Sequence, residues 1–136
     1  MLSKKIKYLD FNGNEREEEF LFNLTQAEVM EMELSETGGL AESIKKVIAA
    51  QDAPKIIKIF KELILKAYGE KSADGKMFMK SEELSRNFSY TNAYSKLFME
   101  LATDDQAAAA FVNGIVPSDT EDMADSTNQK SLTLVE

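Results

Sequence analysis

Ile6-Lys7-Tyr8-Leu9-Asp10-Phe11-Asn12-Gly13-Asn14-Glu15-Arg16-Glu17-Glu18-Glu19-Phe20-Leu21-Phe22 is the stretch that decides the fold. Asn12-Gly13-Asn14 is a strong turn signal, and the runs on either side carry aromatic residues. The reading is a β-hairpin over residues 2–24. A two-residue Asn-Gly loop sets Asp10 opposite Glu15 and Phe20 opposite Lys5. A three-residue loop sets Lys7 opposite Glu19, Asp10 opposite Arg16 and Ile6 opposite Phe20, and avoids a like-charge pair that costs a few tenths to ~1 kcal/mol. It also gathers Leu2, Ile6, Tyr8, Phe20, Phe22 and Leu24 on one face, a set that a one-residue slip splits. The three-residue loop is expected, with the opposite face charged and in water.

Helix signals fill the chain beyond the hairpin. Thr25-Gln26-Ala27-Glu28 is a capping box and opens a short helix to about Leu34. Gly38-Gly39 breaks the chain, after which Leu40, Ile44, Val47 and Ile48 recur at helical spacing. Asp52 and Pro54 start a helix over 53–68, where Ile56, Ile57, Phe60, Leu63, Ile64 and Ala67 make an apolar stripe and Gly69 is the expected C-cap. A polar loop with Asp74-Gly75 follows. Ser81 is placed to cap a helix through about Phe88, and Thr91 or Asn92 the next, with Tyr94, Leu97, Phe98 and Leu101 on one face. Asp104 or Asp105 opens a last helix, Ala107 to Asn113, ended by Gly114. The fold class is α+β: an N-terminal hairpin packed on a bundle of about five to six short helices. Residues 1–117 form one domain. Residues 118–136 carry net −4, half of the chain's −8, and read as a disordered acidic tail with too little apolar surface to order itself.

Composition narrows the function. The 136 residues include no Cys and no His, which removes thiol nucleophiles, nearly every zinc site and the commonest general base. With a net charge of −8 and only two arginines, Arg16 and Arg86, the chain is a poor binder of nucleic acid or of acidic membranes. No apolar run approaches the roughly 20 residues that span a bilayer, and no apolar signal core follows Met1-Leu2-Ser3-Lys4-Lys5, so a cytosolic protein is expected.

The candidate sites are few. Residues 70–81 mimic a calcium loop, with Glu70, Ser72 and Asp74 at the first, third and fifth positions and Gly75 at the sixth. Ser81 replaces the closing Glu and three lysines intrude, so an ordinary Asp-Gly turn is the better reading. Glu15, Glu17, Glu18 and Glu19 alternate between two faces of a strand and face Lys4, Lys5 and Lys7, which suits a solvated charged surface. Glu28, Glu31, Glu33 and Glu36 suit an exposed helix, and no apolar pocket is evident to raise a catalytic carboxyl. No enzyme and no cofactor or metal is expected. The aromatic cluster Phe88, Tyr90, Tyr94 and Phe98 reads first as core and second as a groove for a partner helix, with Met77, Phe78 and Met79 at its rim.

Three stretches carry a family resemblance: Asp10 to Arg16 with Phe22-Asn23-Leu24-Thr25 and Ala27-Glu28; Ile56 to Ser72; and Ala93-Tyr94-Ser95 with Leu97 to Asp104 and Ala107 to Pro117. Over residues 6–117 the chain resembles the tail assembly chaperones of siphophages and related prophages of Gram-positive bacteria. The resemblance implies a non-enzymatic protein of the host cytoplasm, absent from the mature virion. Its partners would be the tape measure protein, which it keeps soluble, and the major tail tube protein, whose subunits it helps recruit. A homo-oligomer, or a hetero-oligomer with a longer frameshifted form, is also implied. The alternatives are a tail structural or adaptor protein that stays in the virion and a small acidic phage regulator that binds a host protein.

Overall fold

Asp10 builds the first turn. Its Oδ1 accepts from the backbone N–H groups of Asn12 and Asn14, each at 2.9 Å. Its own N–H donates to the Asn14 carbonyl at 2.9 Å, and Gly13 N–H returns to the Asp10 carbonyl at 3.1 Å. Phe11, Asn12 and Gly13 are thus a three-residue loop between β1 (Leu2–Leu9) and β2 (Glu15–Phe22). The computed structural model describes residues 1–33 and 40–117.

The loop length matches expectation, but the register does not. Lys7 faces Glu17 rather than Glu19, Tyr8 faces Arg16, and Ile6 faces Glu18. The cause is Gly13, whose φ of +84° puts it at the third loop position, the left-handed one that a three-residue hairpin reserves for glycine. That centres the turn on Asn12, one residue earlier than expected. The slip keeps the parity of the strands, so Leu2, Ile6, Tyr8, Phe20, Phe22 and Leu24 still belong to or pack on the core. Opposite charges still meet, Lys5 with Glu19 and Lys7 with Glu17. Arg16 Nε reaches Asp10 at 2.8 Å without being opposite it.

Two further strands lie where the end of the 53–68 helix and a loop were expected. β3 (Tyr68–Lys71) adds to β2 through Leu21–Gly69 and Phe22–Tyr68, and β4 (Phe78–Met79) pairs with β3, giving the order β1-β2-β3-β4. Gly69 is therefore no left-handed C-cap. It is buried in a strand where a Cβ would stand 2.7 Å from the Met79 carbonyl oxygen and 2.8 Å from the Phe78 ring. The turn between β3 and β4 is the Asp-Gly turn. Asp74 Oδ1 accepts from Ser72 Oγ at 2.7 Å and from Lys76 N–H at 3.0 Å, and Gly75 takes φ +77°.

Six helices complete the described chain: α1 (Gln26–Glu33), α2 (Leu40–Ala50), α3 (Ala53–Ala67), α4 (Glu82–Ser89), α5 (Asn92–Thr103) and α6 (Asp105–Ile115). Their starts obey the capping signals. Thr25 Oγ1 accepts from Glu28 N–H at 3.2 Å while the Glu28 carboxylate accepts from Thr25 N–H at 2.8 Å. Asp52, Ser81, Thr91 and Asp104 cap α3, α4, α5 and α6. α6 runs through Gly114 instead of stopping there, because Gly114 is a point of close approach: a Cβ on it would lie 2.9 Å from the Leu2 side chain. Val116, extended before Pro117, ends the helix. Leu34, the Gly38-Gly39 break, Glu36 and the proposed tail at 118–136 lie outside the described residues.

The elements close around Phe22 and Leu24, with Phe60, Ile64, Leu97, Leu101 and Ile115 among the side chains fully removed from water. Lys80 ties the far hairpin to the start of α1. Its Nζ donates to the Asn23 carbonyl at 2.6 Å and to both oxygens of Glu28 at 2.8 and 2.9 Å. Burial raises the Glu28 pKa, but the hydrogen bonds from Lys80 and Thr25 and the Lys80 charge outweigh it and hold the carboxyl below its ordinary 4.5.

Two outcomes follow from these contacts. Gly69→Ala should cost about 1–3 kcal/mol in urea unfolding, because the clashing atom is backbone and cannot swing away. Lys80→Met should cost about 1 kcal/mol at pH 7. A lowered Glu28 pKa stabilises above 4.5 and loses that effect as pH falls below it, so the gap between Lys80→Met and wild type should shrink from pH 6 to pH 3.

Candidate partner-binding site

The aromatic cluster is not one surface. Phe88, on α4, is 3% exposed and stacks on Tyr68 at 4.3 Å between ring centroids, with Phe20 at 5.1 Å and Phe22 at 5.8 Å. Tyr94 meets Phe88 edge-on at 5.8 Å, and Phe98, one turn along α5, lies 6.0 Å from Tyr94. Phe88, Tyr94 and Phe98 therefore form one line of ring contacts, from a buried ring to two partly buried ones. Tyr90, at the C-cap of α4, is 65% exposed and stands apart from the line. Met77 and Met79 are exposed on the β3–β4 hairpin, and neither they nor Phe78 line the groove that Phe98 reaches.

That groove lies between α2, α3 and α5 and encloses about 410 Å³. Its apolar walls are Ile48 from α2, Ile56 and Ile57 from α3, and Phe98, Met99 and Ala102 from α5. Ile57 is 49% exposed and Met99 55% exposed, although both are large apolar side chains. Sequence reasoning assigned Ile56 and Ile57 to the buried stripe of α3 and did not single out Met99. A signal was present. Ile56, Ile57, Ile59 and Phe60 cannot all face inward at about 100° per residue, so part of an apolar run this dense must remain outside.

Among the described residues, the carboxyls that depart from their ordinary pKa are all lowered. Hydrogen bonds from Arg16 and from the Asn14 and Asn12 amides hold the Asp10 carboxyl low, and the Lys76 amide with the Ser72 hydroxyl does the same for Asp74. Glu28 is also lowered. A general acid needs the opposite shift. Among the described residues no group of three or more acidic side chains is placed to hold a metal ion, and no helix is long and apolar enough to cross a membrane.

The described residues form a small α+β fold with an open apolar groove between α2, α3 and α5. The family comparison adds what the fold leaves open. The model of the phage tail assembly chaperone family matches residues 1–134, and the chain belongs to that family. Membership implies protein partners in tail assembly. No curated protein and no solved structure matches the chain.

The aromatic line can be read by titration. Burial raises the Tyr94 pKa above 10.0, and burial with the charges of Glu70 and Glu18 raises Tyr68. Tyr8 is raised first by its hydrogen bond to Glu18, 2.5 Å long, and then by burial. Raised phenols favour the fold below pH 10 and withdraw that favour as pH rises through the folded values. Absorbance at 295 nm should therefore rise at higher pH for the native chain than for the chain in urea, and stability should decline above pH 10.

Proposed function

We propose that the chain binds apolar helical segments of the tape measure protein, keeps that protein soluble during tail morphogenesis and helps recruit tail tube subunits around it. The observation that carries this reading is the α2–α3–α5 groove, where Ile57 and Met99 stand open beside Ile48, Ile56 and Phe98. An amphipathic helix laid in such a groove buries the stripe that would otherwise aggregate. Within the aromatic cluster, Phe98 contributes the contact wall, Tyr94 and Phe88 support it from behind, and Tyr90 is an outlying contact. The net charge of −8 keeps coated particles apart. Weak contacts repeated along a fibre add up through avidity, yet each remains displaceable when the tube polymerises. The role needs no catalysis. It places the chain in the host cytoplasm and leaves it out of the finished virion.

The test is co-expression with the tape measure protein of the same genome, followed by size exclusion. The wild-type chain should bring the tape measure protein into the soluble fraction and elute with it. Ile57→Lys and Met99→Lys change exposed positions, so folding by circular dichroism should persist while each costs about 2 kcal/mol of binding, near thirtyfold. A tape measure protein that stays insoluble beside wild type, or a chain that mass spectrometry finds in purified virions, would overturn the reading.

A further inference from the structure

The sheet has two long edges that differ. In β1 the backbone groups of the odd residues point away from β2, and α5 covers part of this edge. Asn92 Nδ2 donates to the Leu9 carbonyl at 2.9 Å and Lys96 Nζ to the Lys7 carbonyl at 2.5 Å. β2 is paired with β1 along its whole length on one side. On its other side β3 pairs only with Leu21 and Phe22. The strands then part around a cleft that runs from Glu18 to Leu21 on β2 and from Tyr68 to Lys71 on β3. From Glu15 to Glu19, among the described residues, no strand takes up the second edge of β2. The outward amides and carbonyls there belong to Glu15, Glu17 and Glu19, because Asn23 N–H, in the same parity, is the one that donates to Ala67 on the β3 side.

An edge left open beside an otherwise complete sheet invites a further strand, and the side chains determine which one. Glu15, Glu17 and Glu19 project from the face that is turned to water, and all three are exposed. A second copy of β2 laid antiparallel about Glu17 would set Glu15 against Glu19 and Glu17 against itself, which like-charge pairing opposes. The chain's own residues 118–136, with Asp119, Glu121, Asp122 and Asp125, meet the same repulsion. A strand with cations at alternate positions pairs with these carboxylates, beside Lys5 and Lys7 that face Glu19 and Glu17 from β1 and Lys71 on the β3 side of the cleft. On the other face its intervening residues would lie beside Glu18 and Phe20, where a short aliphatic side chain packs on the half-buried ring.

We propose that the Glu15–Glu19 edge of β2 takes up, by strand addition, an extended segment of a partner protein that carries Lys or Arg at every second position. This site is separate from the α2–α3–α5 groove and does not depend on what fills it. Main-chain hydrogen bonds to Glu15, Glu17 and Glu19 supply the pairing, and their carboxylates select the charge.

The probe is a fluorescein-labelled octapeptide alternating Lys and Val, titrated against the full chain by anisotropy, with amide hydrogen exchange read in parallel. Binding should bring new protection to the Glu17 and Glu19 amides. The same peptide N-methylated on the backbone of its lysines keeps every charge and loses the donors, so it should bind about tenfold or more weakly, a loss of about 1.4 kcal/mol. Glu17→Gln should weaken binding roughly threefold through charge alone. Glu17→Pro removes an amide that the β1–β2 ladder does not use and should weaken it about tenfold or more. The N-methyl comparison stands even where the proline variant fails to fold. Equal affinity for the N-methylated peptide, equal affinity for an alternating Glu and Val peptide, or protection of Glu17 that rises with protein concentration in the absence of peptide would each overturn the proposal.

Discussion

The short segment Phe22-Asn23-Leu24 is where the sheet and the helices are joined, and the rest of the structure depends on its burial. Phe22 is fully removed from water, and its ring contacts Tyr68 at 5.8 Å, Phe88 at 5.8 Å and Phe111 at 5.4 Å, side chains of β3, α4 and α6. Asn23 N–H bonds the last carbonyl of α3, Ala67, at 2.8 Å, and Leu24 N–H bonds Ile115 at the end of α6 at 2.9 Å. Asn23 and Leu24 thus satisfy carbonyls at two helix ends that burial would otherwise leave without partners. The side chains supply the apolar area and the main chain supplies direction. A hairpin alone is marginal in water, so it is this junction that holds β1 and β2 in place.

The apolar surface of the helices is divided between the core and the open groove. α3 turns Phe60, Leu63, Ile64 and Ala67 to the core and leaves Ile57 outside. α5 does the same with Leu97 and Leu101 inside and Met99 outside. The two exposed residues lie on one groove because α3 and α5 pack against each other. The family comparison shows the membership, and helix packing builds the groove. The lowered carboxyls of Asp10, Glu28 and Asp74 belong to turns and caps, where negative charge supports structure.

Most local structure was legible in the residues. Caps at Thr25, Asp52, Ser81, Thr91 and Asp104 act within a few residues of themselves, so their signals survive any tertiary arrangement. The apolar face of the hairpin was legible for a related reason, since alternation has a period of two and the register slip preserved it. What escaped was β3 and β4. Tyr68-Gly69-Glu70-Lys71 has little strand propensity and becomes a strand because β2 offers it an edge. Gly69 and Gly114 looked like helix stops, but each is a place where another element comes too close for a Cβ. That information sits in Phe78 and Met79 across the β3–β4 hairpin from Gly69, and in Leu2 at the other end of the chain from Gly114.

The candidate site divides the same way. The cluster Phe88, Tyr90, Tyr94 and Phe98 was visible as residues, and packing then distributed it from the core to the open surface. Ile57 and Met99 belong together only after α3 and α5 dock. By itself the sequence determined the helix starts, the hairpin with its buried face, the acidic charge and the absence of the side chains that thiol or imidazole chemistry requires, since each depends on residue type and short spacing. Tertiary structure alone decided the third strand and which apolar residues remain in water, since these depend on contacts between segments tens of residues apart.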